Sequence, residues 1–199
     1  VDNSIDANAE NIWIVFDEEA YADKSSFYLL CIDDGKGINS EGISSVMDFG
    51  APREYNELEL GKFGVGMKSS SLSQAKEITL LSKIKGGNIE MRRLSSEIVN
   101  REDKWVLIDR LEDHMHTEAI SIAKRELGIR DSGTCIILEN MHKLDNRVGN
   151  IENKENYMNK ELLHIRDYLG LSFERYIRGT SLRKMDNSTL ERKIKTFLN

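Results

Sequence analysis

The run Gly61-Lys62-Phe63-Gly64-Val65-Gly66-Met67-Lys68-Ser69-Ser70-Ser71 constrains the fold more than any other stretch of this 199-residue chain. Its glycines, spaced by three and two, remove Cβ atoms where backbone must come close to something. The serines that follow can open a helix whose first N–H groups are free. Free N–H groups at a helix start, with the helix dipole behind them and Lys68 beside them, form an anion cradle suited to the terminal phosphates of a nucleotide. Taken alone, the run fits a flexible glycine loop equally well.

A second stretch narrows the choice. The apolar strand pattern Ser26–Ile32 runs straight into Asp33-Asp34-Gly35-Lys36-Gly37-Ile38, which places a carboxylate at the end of a buried strand just where glycines let the backbone turn tightly. Asp-Gly by itself is only a turn signal. Ser40–Met47 offers Ile43, Val46 and Met47 at helical spacing, with Asn39 or Ser40 as cap and Glu41 in the first turn. From Gly50 to Leu60 the chain is polar, with its single proline, Pro52, and acids at Glu54, Glu57 and Glu59. Between two glycine motifs such a segment reads as a mobile lid, or as an ordinary surface loop.

Other elements follow from periodicity. Asn11–Asp17 is a strand buried on both faces, Asp17–Lys24 a charged hairpin turn, Ser69–Ala75 a helix, and Glu77–Ile84 a strand with alternating Ile78, Leu80 and Ser82. Gly86-Gly87 turns into Asn88–Leu94, and Trp105–Leu111 is a further strand. Ala119–Leu127 is a helix ended by Gly128, Ser132–Leu138 a buried strand, and Glu152–Tyr176 a long helix. His114 and His116 lie in an acidic linker, Glu112–Glu118, without a cysteine pair or paired-histidine helix, and read as a solvated loop before a metal site.

Composition sets the class. Hydrophobic content of 39% with 31% charged residues suits a globular domain, and no apolar run is long enough to span a bilayer. A net charge of −6 disfavours a nucleic-acid surface on the body of the domain. Cys31 and Cys135 each sit inside an apolar run and read as buried thiols, which fits an intracellular, most simply cytoplasmic, setting. The chain opens at Val1 without a methionine, so the natural N-terminus is expected upstream.

The order Asp2-Asn3-Ser4-Ile5-Asp6-Ala7, Asp33-Asp34-Gly35-Lys36-Gly37, Gly61-Lys62-Phe63-Gly64-Val65-Gly66 and Gly133-Thr134 resembles the four motifs of the GHKL superfamily of gyrase, heat-shock chaperone, histidine kinases and MutL. Ser45–Gly50, the continuation Gly64–Ser71, Ala75-Lys76 and Ser82-Lys83 look most like the Morc proteins and their prokaryotic relatives. The resemblance covers roughly the first 140 residues. It implies an α+β fold, a two-layer sandwich of the Bergerat type, with a mainly antiparallel sheet, helices on one face and a mobile ATP lid. It divides the chain into an ATP-binding domain over 1–150 and a helical extension over 151–199 that leads toward a transducer-like domain.

Carried over by residue, the resemblance implies that Asn3 holds Mg²⁺ and that Asp33 accepts the adenine amino hydrogen, with Asp6 and Thr134 supporting that end. Gly35 and Gly37 admit the nucleotide. Gly61, Phe63, Gly64, Val65, Gly66 and Ser69 contribute the phosphate loop, with Lys68 facing either the phosphates or a lid acid. The family's general base is a glutamate four residues before the asparagine, a position two residues upstream of Val1, so no catalytic residue is expected within the given chain. The implied activity is that of an ATPase in which Mg-ATP closes the lid and drives homodimerisation and its hydrolysis drives a conformational switch, with nucleic acid possible through other regions and no membrane. Two other classes stay open: a histidine-kinase catalytic domain, disfavoured by the long Lys-Ser-Ser-Ser continuation, and a non-hydrolysing nucleotide sensor.

Overall fold

A computed structural model describes residues 1–21, 24–48, 70–112, 115–141 and 154–177. Helix α1 (Asp2–Asp6) precedes a hairpin of β1 (Ile12–Tyr21) and β2 (Lys24–Asp33), paired from Ile12↔Asp33 to Tyr21↔Lys24. The strands therefore reach Tyr21 and Lys24, well into the segment Asp17–Lys24 that was expected to turn. Backbone pairing needs no apolar side chains, so the charged residues extend the ladder and do not end it. Helix α2 (Ser40–Met47) starts where expected, with Asn39 Oδ1 accepting from the Gly42 N–H at 2.8 Å.

The helix expected over Ser69–Ala75 is described from residue 70 and ends at Leu72, three residues before the expected end. The Ser73 hydroxyl donates to the Ser70 carbonyl at 2.7 Å, the kind of local bond by which serines compete with helix propagation. Strands β3 (Glu77–Lys83) and β4 (Ile89–Ser95) make the second hairpin, and α3 (Ser96–Glu102) follows directly. Trp105–Leu111, expected as a strand, is not one. It meets β4 at a single bridge, with Ile108 and Arg93 exchanging N–H···O bonds of 2.8 Å. Trp105 is drawn instead to α2, where its Nε1 donates to the Met47 carbonyl at 3.2 Å.

Helix α4 (Glu118–Gly128) is capped by Thr117, and Gly128 is its last residue, not the stop beyond it. Strand β5 (Gly133–Glu139) is followed by α5 (Lys154–Ser172) and the short α6 (Glu174–Ile177), so the expected long helix is interrupted at Phe173. The sheet order is β1-β2-β5-β3-β4, with every neighbouring pair antiparallel. The last strand thus lies at the centre and zips the two hairpins together. It also gathers the end of β2, the start of β5 and the end of β3 at one end of the sheet.

The α+β class and the antiparallel sheet stand as expected. The helices, however, divide between two faces. Tyr28, Leu30, Ile32, Leu81, Cys135 and Ile137 pack on α4 through Ala119, Ile120, Ala123 and Leu127. On the opposite face Ile78, Leu80 and Leu94 pack on Ile43 and Met47 of α2, while Phe16 and Phe27 pack on Leu162 of α5. Strand β3 is consequently buried from Ile78 through Ser82 without alternation, because an interior strand with helices on both sides is covered on both faces. Cys31 is half-buried and Cys135 buried, both free thiols, and burial pushes both above the ordinary cysteine value.

Candidate functional site

The polar residues of the site converge where β2 ends. Asp33 is 6% exposed and closes the β2–β5 ladder opposite Thr134. Its Oδ1 accepts the Gly35 N–H at 3.0 Å and the Thr134 N–H at 3.2 Å. Its Oδ2 accepts the hydroxyl of Ser4, itself buried on α1, at 2.9 Å. Burial raises the Asp33 carboxyl above its ordinary value, and the hydrogen bonds from Gly35, Ser4 and Thr134 oppose that rise. No Lys or Arg side chain bonds to it among the described residues. An ionised carboxylate has about four acceptor positions, and here three neutral donors use three. Oδ2 can therefore accept one more hydrogen.

Two short loops are locked around this carboxylate. Asp34 Oδ1 accepts the N–H groups of Glu10 and Asn11 at 2.9 and 2.8 Å, and its Oδ2 accepts Asn11 Nδ2 at 2.7 Å. The Lys36 N–H donates to the Ala7 carbonyl at 3.0 Å. The end of β2 and the turn after α1 are thus one unit, and Asp34 serves that clamp rather than merely starting a turn. Gly37 has φ +70°, and a Cβ there would stand 2.0 Å from the Lys83 carbonyl oxygen. Gly133 has φ +155°, and a Cβ there would stand 2.2 Å from the Asp33 carbonyl oxygen. Glycine at both is a condition for β2, β3 and β5 to meet at this end.

A hydroxyl pair completes the site. Ser82, with no exposed surface, accepts the Ile38 N–H at 2.8 Å and lies 3.0 Å from the Gly133 carbonyl and 2.9 Å from Thr134 Oγ1.

Of the residues singled out in the sequence, Asp33, Gly35 and Thr134 come into direct contact, and Gly37 packs beside them. Asn3 is exposed on α1 next to Ser4, and Asp6 is the half-buried last residue of that helix. Gly61, Phe63, Gly64, Val65, Gly66, Lys68 and Ser69 lie outside the described residues, as do the lid segment and His114. His116 is exposed. Ser4 and Ser82 were missed as site residues. Ser4 stands inside the first motif, where its place between Asn3 and Asp6 was the available signal; Ser82 acquires its partners only through the pairing of β3 with β5.

The chain is similar over 86 residues to ATPase MORC2 of Homo sapiens and ATPase MORC2A of Mus musculus, each at 36% identity, and to ATPase MORC2B of Mus musculus at 33%. These matches cover 42% of this chain and 8% of each relative's length. The family model described as histidine kinase-, DNA gyrase B- and HSP90-like ATPase matches residues 1–134, which takes in α1, the Asp33 loop and the start of β5. With that match and the antiparallel α+β fold in agreement, the chain belongs to the GHKL ATPase family.

Proposed function

We propose that this chain is a Morc-like module in which bound Mg-ATP closes a lid and drives dimerisation and, in the whole protein, hydrolysis of that ATP drives a conformational switch. The observation that carries the reading is Asp33: a buried carboxylate, held by three neutral donors and no Lys or Arg side chain among the described residues, with an acceptor position left over. A purine amino group supplies the matching donor. The glycines at 35 and 37 bring backbone close to it, and Thr134 and Asp6 support the same end.

Asn3, exposed on α1 one residue from Ser4, would take Mg²⁺ through its amide oxygen, an oxygen ligand of the kind that ion prefers. The ion, when bound, neutralises charge on the phosphates. Gly61, Phe63, Gly64, Val65, Gly66 and Ser69 would hold the phosphates by backbone N–H groups, with Lys68 as a point charge. Hydrolysis needs a base to take the proton of the attacking water, and the resemblance puts that glutamate four residues before Asn3. Turnover is therefore proposed for a chain carrying that position, and nucleotide binding for the residues given. The word ATPase in the names of the relatives supports the hydrolytic reading. Residues 1–150 would form the nucleotide domain and 151–199 its extension.

Calorimetric titration of the purified domain with Mg-ATP and Mg-ADP tests this. Binding with a stoichiometry of one per chain is expected, and no heat at millimolar nucleotide would overturn it.

A further inference from the structure

Ser82 has one proton and two lone pairs, and three groups compete for them. The Ile38 N–H can only donate, so it takes one lone pair of Ser82 Oγ at 2.8 Å. The Gly133 carbonyl can only accept, so it takes the Ser82 proton at 3.0 Å. All three contacts are satisfied together in one arrangement alone: Thr134 Oγ1, 2.9 Å away, donates its proton to the remaining lone pair of Ser82. With Ser82 fully buried and Thr134 only 8% exposed, leaving any of these groups unpaired is costly. Thr134 then turns only lone pairs outward.

Four neighbouring N–H donors are spent as well. The N–H groups of Gly35 and Thr134 go to Asp33, that of Asp34 to the Asn11 carbonyl, and that of Lys36 to the Ala7 carbonyl. Asp33 and Thr134 are register partners and face the same side of the sheet. We infer that Ser82, a positioning residue that touches no ligand itself, fixes the direction of the Thr134 hydroxyl so that, among the described residues, the Asp33 and Thr134 side chains present acceptors to this end of the site and select a 6-amino purine over a 6-oxo purine. The inference rests on the nucleotide reading above and adds to it the residue that sets base selectivity.

The test compares Mg-ATP with Mg-ITP, which differ at the 6-substituent and the adjacent N1, by calorimetry on the intact domain. Wild type is expected to prefer ATP. Ser82→Ala releases the Thr134 proton to turn outward and meet a 6-oxo group, so the ATP/ITP affinity ratio should narrow about tenfold, the worth of one hydrogen bond. Ser82→Thr should restore it. In a Thr134→Val background, Ser82→Ala should change the ratio no further. A loss of ATP and ITP affinity by one common factor, or a narrowing that persists in the Thr134→Val background, overturns the inference. If Ser82→Ala does not fold, Thr134→Val against Thr134→Ser serves instead: Val should narrow the ratio and Ser keep it, and equal effects on both nucleotides overturn the role. Wild type without affinity for ATP would bring down the nucleotide reading itself, a result distinct from normal ATP binding with unmoved selectivity.

Discussion

Two buried polar clusters occupy the same sheet and are built on opposite plans. On the α4 face Arg93, 3% exposed, donates to Glu139 at 2.6 Å, to Thr79 at 2.9 Å and to Glu77. Glu77 and Glu139 are cross-strand partners, an unfavourable pairing of like charges, and the guanidinium lies between them. There a cation answers the carboxylates and all partners come from the sheet. On the other face Asp33 has no Lys or Arg partner among the described residues and is held by hydroxyl and backbone donors. A cluster that satisfies itself reads as structure, whereas a carboxylate kept buried by neutral donors, with an acceptor position left over, reads as a site.

Breaking the first cluster should cost the most. Arg93→Ala leaves two carboxylates beside each other in the sheet, and the expected loss of unfolding free energy is about 3–5 kcal/mol, the range for removing one partner of a buried pair. Urea unfolding checks it, and a loss below about 1 kcal/mol would mean that the network is solvated.

Gly37→Ala attacks the other end through the backbone. A left-handed φ costs a substituted residue about 1–3 kcal/mol, and the Lys83 carbonyl in the way adds to that. The same unfolding assay should register a loss of at least that size, and Gly86→Ala, also at positive φ but in open space, should lose less.

Asp33 itself should behave in the reverse sense. Its carboxyl is raised in the folded chain, so the folded state holds the proton more tightly than the unfolded one. Stability from this group is present below the ordinary value of 3.8 and is lost as pH rises through the raised value. Asn at this position can keep its oxygen on the Gly35 and Thr134 N–H groups and turn its amide toward the Ser4 hydroxyl. Wild-type minus Asp33→Asn stability should therefore fall as pH rises across that window and level off above it. A difference that rises with pH would show that the carboxylate is stabilised by its donors more than it is destabilised by burial.

Much of the site end was legible because its signals are local. A carboxylate closing an apolar strand before spaced glycines marked Asp33, and Asn39 before Ile43 and Met47 marked α2. What stayed hidden depends on contacts between distant residues. Ser4 reaches Asp33 across 29 positions and Ser82 reaches Thr134 across 52, and no periodicity encodes that reach. The Arg93 network was invisible for the same reason, since a charged residue in β4 reads as solvent-facing until its Glu partners arrive from β3 and β5. Trp105–Leu111 shows the converse error: its strand-like composition serves packing on α2 and β4, with Trp105 and Leu107 set against Met47 and Leu94.

The most direct measurement is the affinity of wild type and Asp33→Asn for Mg-ATP by titration calorimetry at neutral pH. Exchanging the acceptor-only carboxylate for an amide that can present a donor should weaken binding by about 1–3 kcal/mol while the fold is kept, as reported by an unchanged far-ultraviolet spectrum. Equal affinity in the two proteins would contradict the assignment of Asp33 as the group that receives the adenine amine.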